Sequence, residues 1–242
     1  VPGSVLSGLY GAGKIEDPFY RTNEDVTREL FRKDYEFSRT FVAAEDILKE
    51  EKIILVCEGL DTLADIYING QKAGSADNMH RTWKLDVKEF LHSGENQIRI
   101  VFRSVFKYIE AYEYEDNKEI HYVPCGGMKG NQLIRKAHCM FGWDWGAHLP
   151  DAGIYRPVKL CKVKCGRFDS VYIRQNHEEG RCTLDFDAAY LVEEDGNYEV
   201  HVTVTSPKGE TFKTVLSQEG CGSLTIENPE LWWVNGLGAQ PL

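Results

Sequence analysis

The sequence predicts an all-β protein built as two β-sandwiches in tandem. Three observations carry this: compact apolar runs closed by glycine turns through the first two thirds, strict period-two alternation in the last third, and few segments of helical pattern.

In chain order, a short helix is expected over residues 4–12 and a turn over 44–49. The run KIILVCEGL at 52–60 has the length and apolarity of a buried strand, and ADIYING at 64–70 closes on Asn69-Gly70. That dipeptide suits the two positive-φ positions of a tight hairpin. NQIRIVF at 96–102 follows a second glycine turn at Ser93-Gly94. Further on, CTLDFDAAY at 182–190 and YEVHVTVTSPKGETFKTVL at 198–216 alternate apolar and polar residues, with turn clusters at 194–197 and 207–209. The change of character around 162–166 places a boundary there, giving a first domain over 1–163 and a second over 164–242.

Composition narrows the function classes. The chain has 242 residues, 42% hydrophobic and 27% charged, with a formal charge of −10. Acidic and basic residues are interleaved, which argues against nucleic acid or an anionic membrane as a partner, and no apolar run is long enough to cross a bilayer. Seven cysteines in a chain of this size leave at least one unpaired within a monomer. Together with the absence of an Asn-x-Ser/Thr acceptor and of a signal-type leader, this leans toward a reducing, cytoplasmic setting.

Several motifs invite chemistry that the residues do not support. GLYGAGK at 8–14 has the glycine and lysine spacing of a phosphate loop, but Ile15 stands where a Ser or Thr must ligate magnesium, so a helix ending at glycine is expected. His121, Cys125, His138 and Cys139 match no tight zinc spacing and read as buried thiols with surface histidines. Cys161 and Cys165 read as packing residues of a strand. Glu24, in TNEDV, could present a glycosidase acid, but nothing beside it promises the apolar pocket that raises a carboxyl pKa, so a solvated turn is expected. No catalytic carboxylate pair is visible, and no metal or cofactor is expected.

The informative stretch is GWDWG, with Trp143, Asp144 and Trp145 between glycines. An extended WDW puts both indoles on one face and the carboxylate on the other. Indole faces stack on the C–H face of a pyranose, and a carboxylate accepts strong hydrogen bonds from neighbouring hydroxyls. The alternative is that both indoles are core and Asp144 ties a turn through its own backbone.

The segment RKAHCMFGWDWGAHLPDAGIYRPVKL at 135–160 resembles the end of the N-terminal sugar-binding domain of family 2 β-mannosidases. The resemblance extends through VPGSVLSGLYGAGKIEDPFY, NED, YEFSRTF at 35–41 and GLDTLADIYING, and downstream to ENPELWWVNGLGAQPL, so it covers the whole chain. GLDTLADIYING and GIYRPV resemble features common to family 2, including β-galactosidases and β-glucuronidases, whereas Trp-Asp-Trp-Gly points to β-mannosidase. Ala147-His148 departs from the Pro-Arg or similar pair expected after the motif.

The resemblance implies a jelly-roll, galactose-binding-like sandwich followed by an immunoglobulin-like sandwich truncated at its C-terminus. It also implies a retaining exo-β-mannosidase acting on terminal β-mannosides through two carboxylates about 5–5.5 Å apart. Those carboxylates would lie in a (β/α)8 barrel beyond Leu242, so the chain would carry no catalytic residue and would lend the barrel a loop in which Trp143, Asp144 and Trp145 bind substrate. A free-standing carbohydrate-binding module, pure scaffolding and another family 2 activity remain as alternatives, and oligomerisation is left open.

Overall fold

In a computed structural model, residues 1–115, 126–192 and 198–241 are described. The chain divides into two compact units, Val1–Lys162 and Val163–Leu242.

In the first unit, β1 (Gly3–Ser4) leads into α1 (Val5–Gly11), where Ser4 and Ser7 bond reciprocally as a capping box. The helix ends with Gly13 at φ 64° and Lys14 N–H donating to Leu9 O, the glycine stop expected in place of a phosphate loop. Then follow α2 (Asn23–Arg28), β2 (Tyr35–Ala43), β3 (Lys52–Cys57), β4 (Leu60–Asp61), β5 (Ala64–Ile68), β6 (Gln71–Ala76), β7 (Trp83–Asp86) and β8 (Gly94–Phe102). After α3 (Val105–Glu115) come β9 (Phe141–Trp143), β10 (Gly146–His148), β11 (Gly153–Ile154) and β12 (Val158–Val163).

Two sheets face each other, one ordered β2-β8-β5-β6 and one β12-β3-β7, while β1-β11-β4 forms a small third sheet. Their inward residues alternate along each strand and meet in one core of Ile53, Leu55, Ile66, Ile68, Ile100 and Phe102, each at most 2% exposed. Asn69 (φ 49°) and Gly70 (φ 81°) make the tight β5–β6 turn that the dipeptide predicts.

The second unit comprises β13 (Gly166–Glu178), β14 (Arg181–Val192), β15 (Val200–Thr205), β16 (Thr211–Leu216) and β17 (Cys221–Glu227), in sheets ordered β13-β14-β17 and β15-β16. Cys182, Leu184, Phe186, Ala188 and Leu216 form its core. Gly209, at φ 87°, completes the β15–β16 turn expected at 207–209, whereas the turn expected at 194–197 lies outside the described residues. The fold is all-β, a galactose-binding-like sandwich followed by an immunoglobulin-like one.

Helices are few, as the pattern implies, although α2 and α3 add to the one expected over 4–12. The hydroxyl of Ser104 accepts from Lys107 N–H at the start of α3, and Val105 and Ile109, four residues apart, are its buried face. Cys161 and Cys165 are exposed rather than packed, because Val158 and Leu160 take the inward phase of β12 and leave Cys161 on the outer face. No described helix is long and apolar enough to cross a membrane.

Candidate functional site

The GWDWG stretch is a hairpin. β9 and β10 pair antiparallel, with Trp143 opposite Gly146 and Phe141 opposite His148, so Asp144 and Trp145 are the two turn residues. This corrects the extended WDW, since the chain reverses at the aspartate. At the base Phe141 is fully buried among Leu63, Val105, Ile109 and Ile134, anchoring one strand in a satellite core. At the tip Trp143 is 43% and Trp145 84% exposed, so neither indole is core.

Asp144 is exposed, and its carboxylate makes no hydrogen bond or ion pair among the described residues. Asp17 and Asn78 show the contrast: each accepts from the backbone N–H two residues on, at 2.9 and 2.8 Å, the bond by which such a side chain ties a turn. Asp144 does not make it. Its carboxylate is open to hydroxyl donors, and exposed tryptophans precede and follow it in the chain.

The hairpin is held from below. Met128 N–H donates to Phe141 O at 2.8 Å. The Oε1 atom of Glu24, in the first turn of α2, accepts from the backbone N–H of His148 at 3.0 Å and lies 2.7 Å from its Nδ1. The other ring nitrogen, Nε2, lies 2.7 Å from Gly126 O. Glu24 is therefore no solvated turn, but a partly buried helical residue bound to the segment that carries GWDWG. Partial burial pushes its carboxyl up, but the backbone and ring of His148, with Arg28 3.9 Å away, outweigh that and hold it below the ordinary value.

The same unit holds a buried ionic knot. Lys136 Nζ donates to Asp61 Oδ2 at 2.5 Å and to Asp151 O at 2.6 Å, while Asp151 Oδ1 accepts from Leu6 and Ala152 N–H. Burial pulls the Lys136 ammonium down against the attraction of Asp61. It pushes the Asp151 carboxyl up against hydrogen bonds from Ser4, Leu6 and Ala152. The knot joins β4, the start of α1 and the loop leading to β9.

Sequence reasoning missed both features, since Glu24 and His148 stand 124 residues apart and Lys136 sits in a polar-looking IRKAH. Of the paper zinc set, His138 and Cys139 are both exposed, which corrects the buried thiol expected of Cys139, and His121 and Cys125 lie outside the described residues. No group of three or more metal-ligating side chains occurs among the described residues. A cleft of about 430 Å³ lies between β2 and β12 and is lined by none of the hairpin residues.

Comparison with known proteins bears on the whole chain. A family model described as the glycosyl hydrolase 2 galactose-binding domain-like domain matches residues 1–156. The chain is 30% identical to beta-mannosidase B of Emericella nidulans and 28% identical to a probable beta-mannosidase of Caenorhabditis elegans, in each case over 100% of its own length. It spans 29% of the length of either relative. The crystal structure of a beta-D-mannosidase from Dictyoglomus thermophilum superposes on 98% of the chain with a TM-score of 0.88 at 30% identity, and the chain covers 30% of that protein. With the family model spanning well over half the residues, the chain belongs to the glycosyl hydrolase 2 family, whose galactose-binding-like domain it carries.

Proposed function

We propose that this chain is the non-catalytic, substrate-binding part of a retaining exo-β-mannosidase. Residues 1–163 form its sugar-binding-like domain and 164–242 an immunoglobulin-like domain, and the catalytic carboxylates belong to a (β/α)8 barrel of the same polypeptide. The hairpin tip closes the barrel's pocket, where Asp144 accepts hydrogen bonds from hydroxyls of the terminal mannose and Trp143 and Trp145 wall the ring.

The observation that carries this reading is the uncommitted Asp144 carboxylate, held at an exposed two-residue turn between exposed indoles. A carboxylate that ties its own turn is held by that bond, whereas this one keeps both oxygens for other donors. Two groups on one loop make only part of a site, so the isolated chain should bind mannosides feebly and hydrolyse none. Titrating it with a β-1,4-linked mannobiose tests the arrangement. Millimolar or weaker binding without turnover fits a lent loop, whereas micromolar binding would make the chain a carbohydrate-binding module in its own right.

A further inference from the structure

We infer that Glu24 and His148 are positioning residues that set the pose of the Asp144 turn, an inference that rests on the sugar-binding reading of that turn. The need for a brace follows from the hairpin itself. β9 and β10 are three residues each and pair with no other strand among the described residues, and a two-stranded hairpin is marginal in water. Its turn does not help: neither Asp144 nor Trp145 has positive φ, so the loop lacks the primed geometry that matches strand twist.

His148 supplies what the turn lacks. Three of its atoms are engaged at once, the backbone N and Nδ1 by Glu24 Oε1 and Nε2 by Gly126 O. Both ring nitrogens face acceptors, so both ring bonds form together only when each nitrogen carries a hydrogen. The ring lies across Gly142, where a Cβ would sit 2.2 Å from it, so only glycine leaves room for the brace. Gly126 in turn backs the tip, since a Cβ built there would lie 3.5 Å from Asp144 N and 3.6 Å from its Cα. A continuous path of contact runs from α2 through Glu24, His148 and Gly126 to the Asp144 peptide. Exposed ion pairs contribute little. The Glu24–His148 contact is instead about three-quarters buried on both sides and includes a backbone donor, which fixes the strand and not merely a side chain.

The test compares His148→Ala, Glu24→Ala, their double variant and Glu24→Gln in the 242-residue chain, reading hydrogen exchange at residues 143–148 beside the melting of the whole chain. Loss of the brace should raise hairpin exchange about tenfold to a hundredfold in either alanine variant, the range expected for bonds to a charged group. The double variant should be no worse than the singles, because both remove one linked unit. Glu24→Gln retains an acceptor oxygen and should keep most of the protection, a rescue that general destabilisation would not give. Unchanged hairpin exchange in a folded His148→Ala chain overturns the inference, as does strict additivity of the two alanine changes. If His148→Ala does not fold, the contrast between Glu24→Ala and Glu24→Gln decides instead. Exchange needs no sugar, so failure here is distinct from failure of the mannoside reading, which Asp144→Asn addresses separately.

Discussion

Lys136 donates to Asp61 across 75 positions of sequence, with 0% of the lysine side chain and 7% of the aspartate side chain exposed. Removing one partner of such a pair strands the other charge without solvent. Asp61→Ala should therefore cost about 3–5 kcal/mol in urea or thermal unfolding. The double change Asp61→Leu with Lys136→Met removes both members of the pair and should recover part of that loss, with the buried Asp151 carboxyl and carbonyl left behind. A cost below about 1 kcal/mol for the single change would mean the ammonium reaches water.

Asp144→Asn keeps size and shape and removes charge. In a longer enzyme carrying this hairpin and the barrel, a charged hydrogen bond worth about 1.5–3 kcal/mol should vanish from the transition state, lowering kcat/KM about tenfold to a hundredfold. The melting temperature should hold, since the side chain makes no hydrogen bond or ion pair among the described residues. Intact kinetics with a lowered melting temperature would return Asp144 to the role of a turn clasp.

The carboxyl of Glu24 sits below its ordinary value in the folded chain. A depressed carboxyl contributes stability that is present above the unfolded value, near 4.5, and is lost as the pH falls through the lower folded value. Wild type should thus melt above Glu24→Gln at neutral pH, and the gap should close on acidification below that value. A gap independent of pH would assign the stabilisation to shape rather than charge.

Gly142→Ala places a methyl carbon where the His148 ring now lies, at a φ of 88° that alanine resists. The combined overpacking and backbone strain should cost at least about 2 kcal/mol. It should also expel His148 from between Glu24 and Gly126, visible as altered chemical shifts for both histidine and glutamate. Unmoved shifts would show that the strand can yield instead.

In the second unit Val171 and Ile173 pair with Ala188 and Phe186, so they lie on the core side of their sheet, yet they are 51% and 49% exposed. Apolar surface left uncovered there should promote self-association and allow faster exchange than in the first sandwich. Ile173→Lys should weaken association in sedimentation while barely moving the melting temperature. Equal protection of the two units would mean that this face is covered in solution.

Strands and hairpins were legible because they are local: Asn69-Gly70, Ser93-Gly94 and the alternation along β14 to β16 each state their structure within a few residues. α3 carried a signal in Ser104 and the i, i+4 pair Val105 and Ile109, but its aromatic residues hid the period and the helix was not expected. The hairpin at Trp143 was found by residue type and misread in shape, since two glycines and two indoles suit a strand as well as a turn. Glu24 with His148 and Lys136 with Asp61 could not be read at all. Nothing in a linear pattern marks which distant carboxylate will meet which cation once the sheets close.

The placement of the tryptophans has a spectroscopic outcome. Trp143, Trp145, Trp232 and Trp233 are all 43% exposed or more, and only Trp83 is half-buried, its indole N–H held by Asn78 O. Emission should be red-shifted already in the native chain and readily quenched by iodide. Unfolding of the first sandwich would scarcely change its colour, so a fluorescence melt would understate cooperativity that circular dichroism would see. A blue shift in this chain therefore signals an indole being covered, not a core being formed.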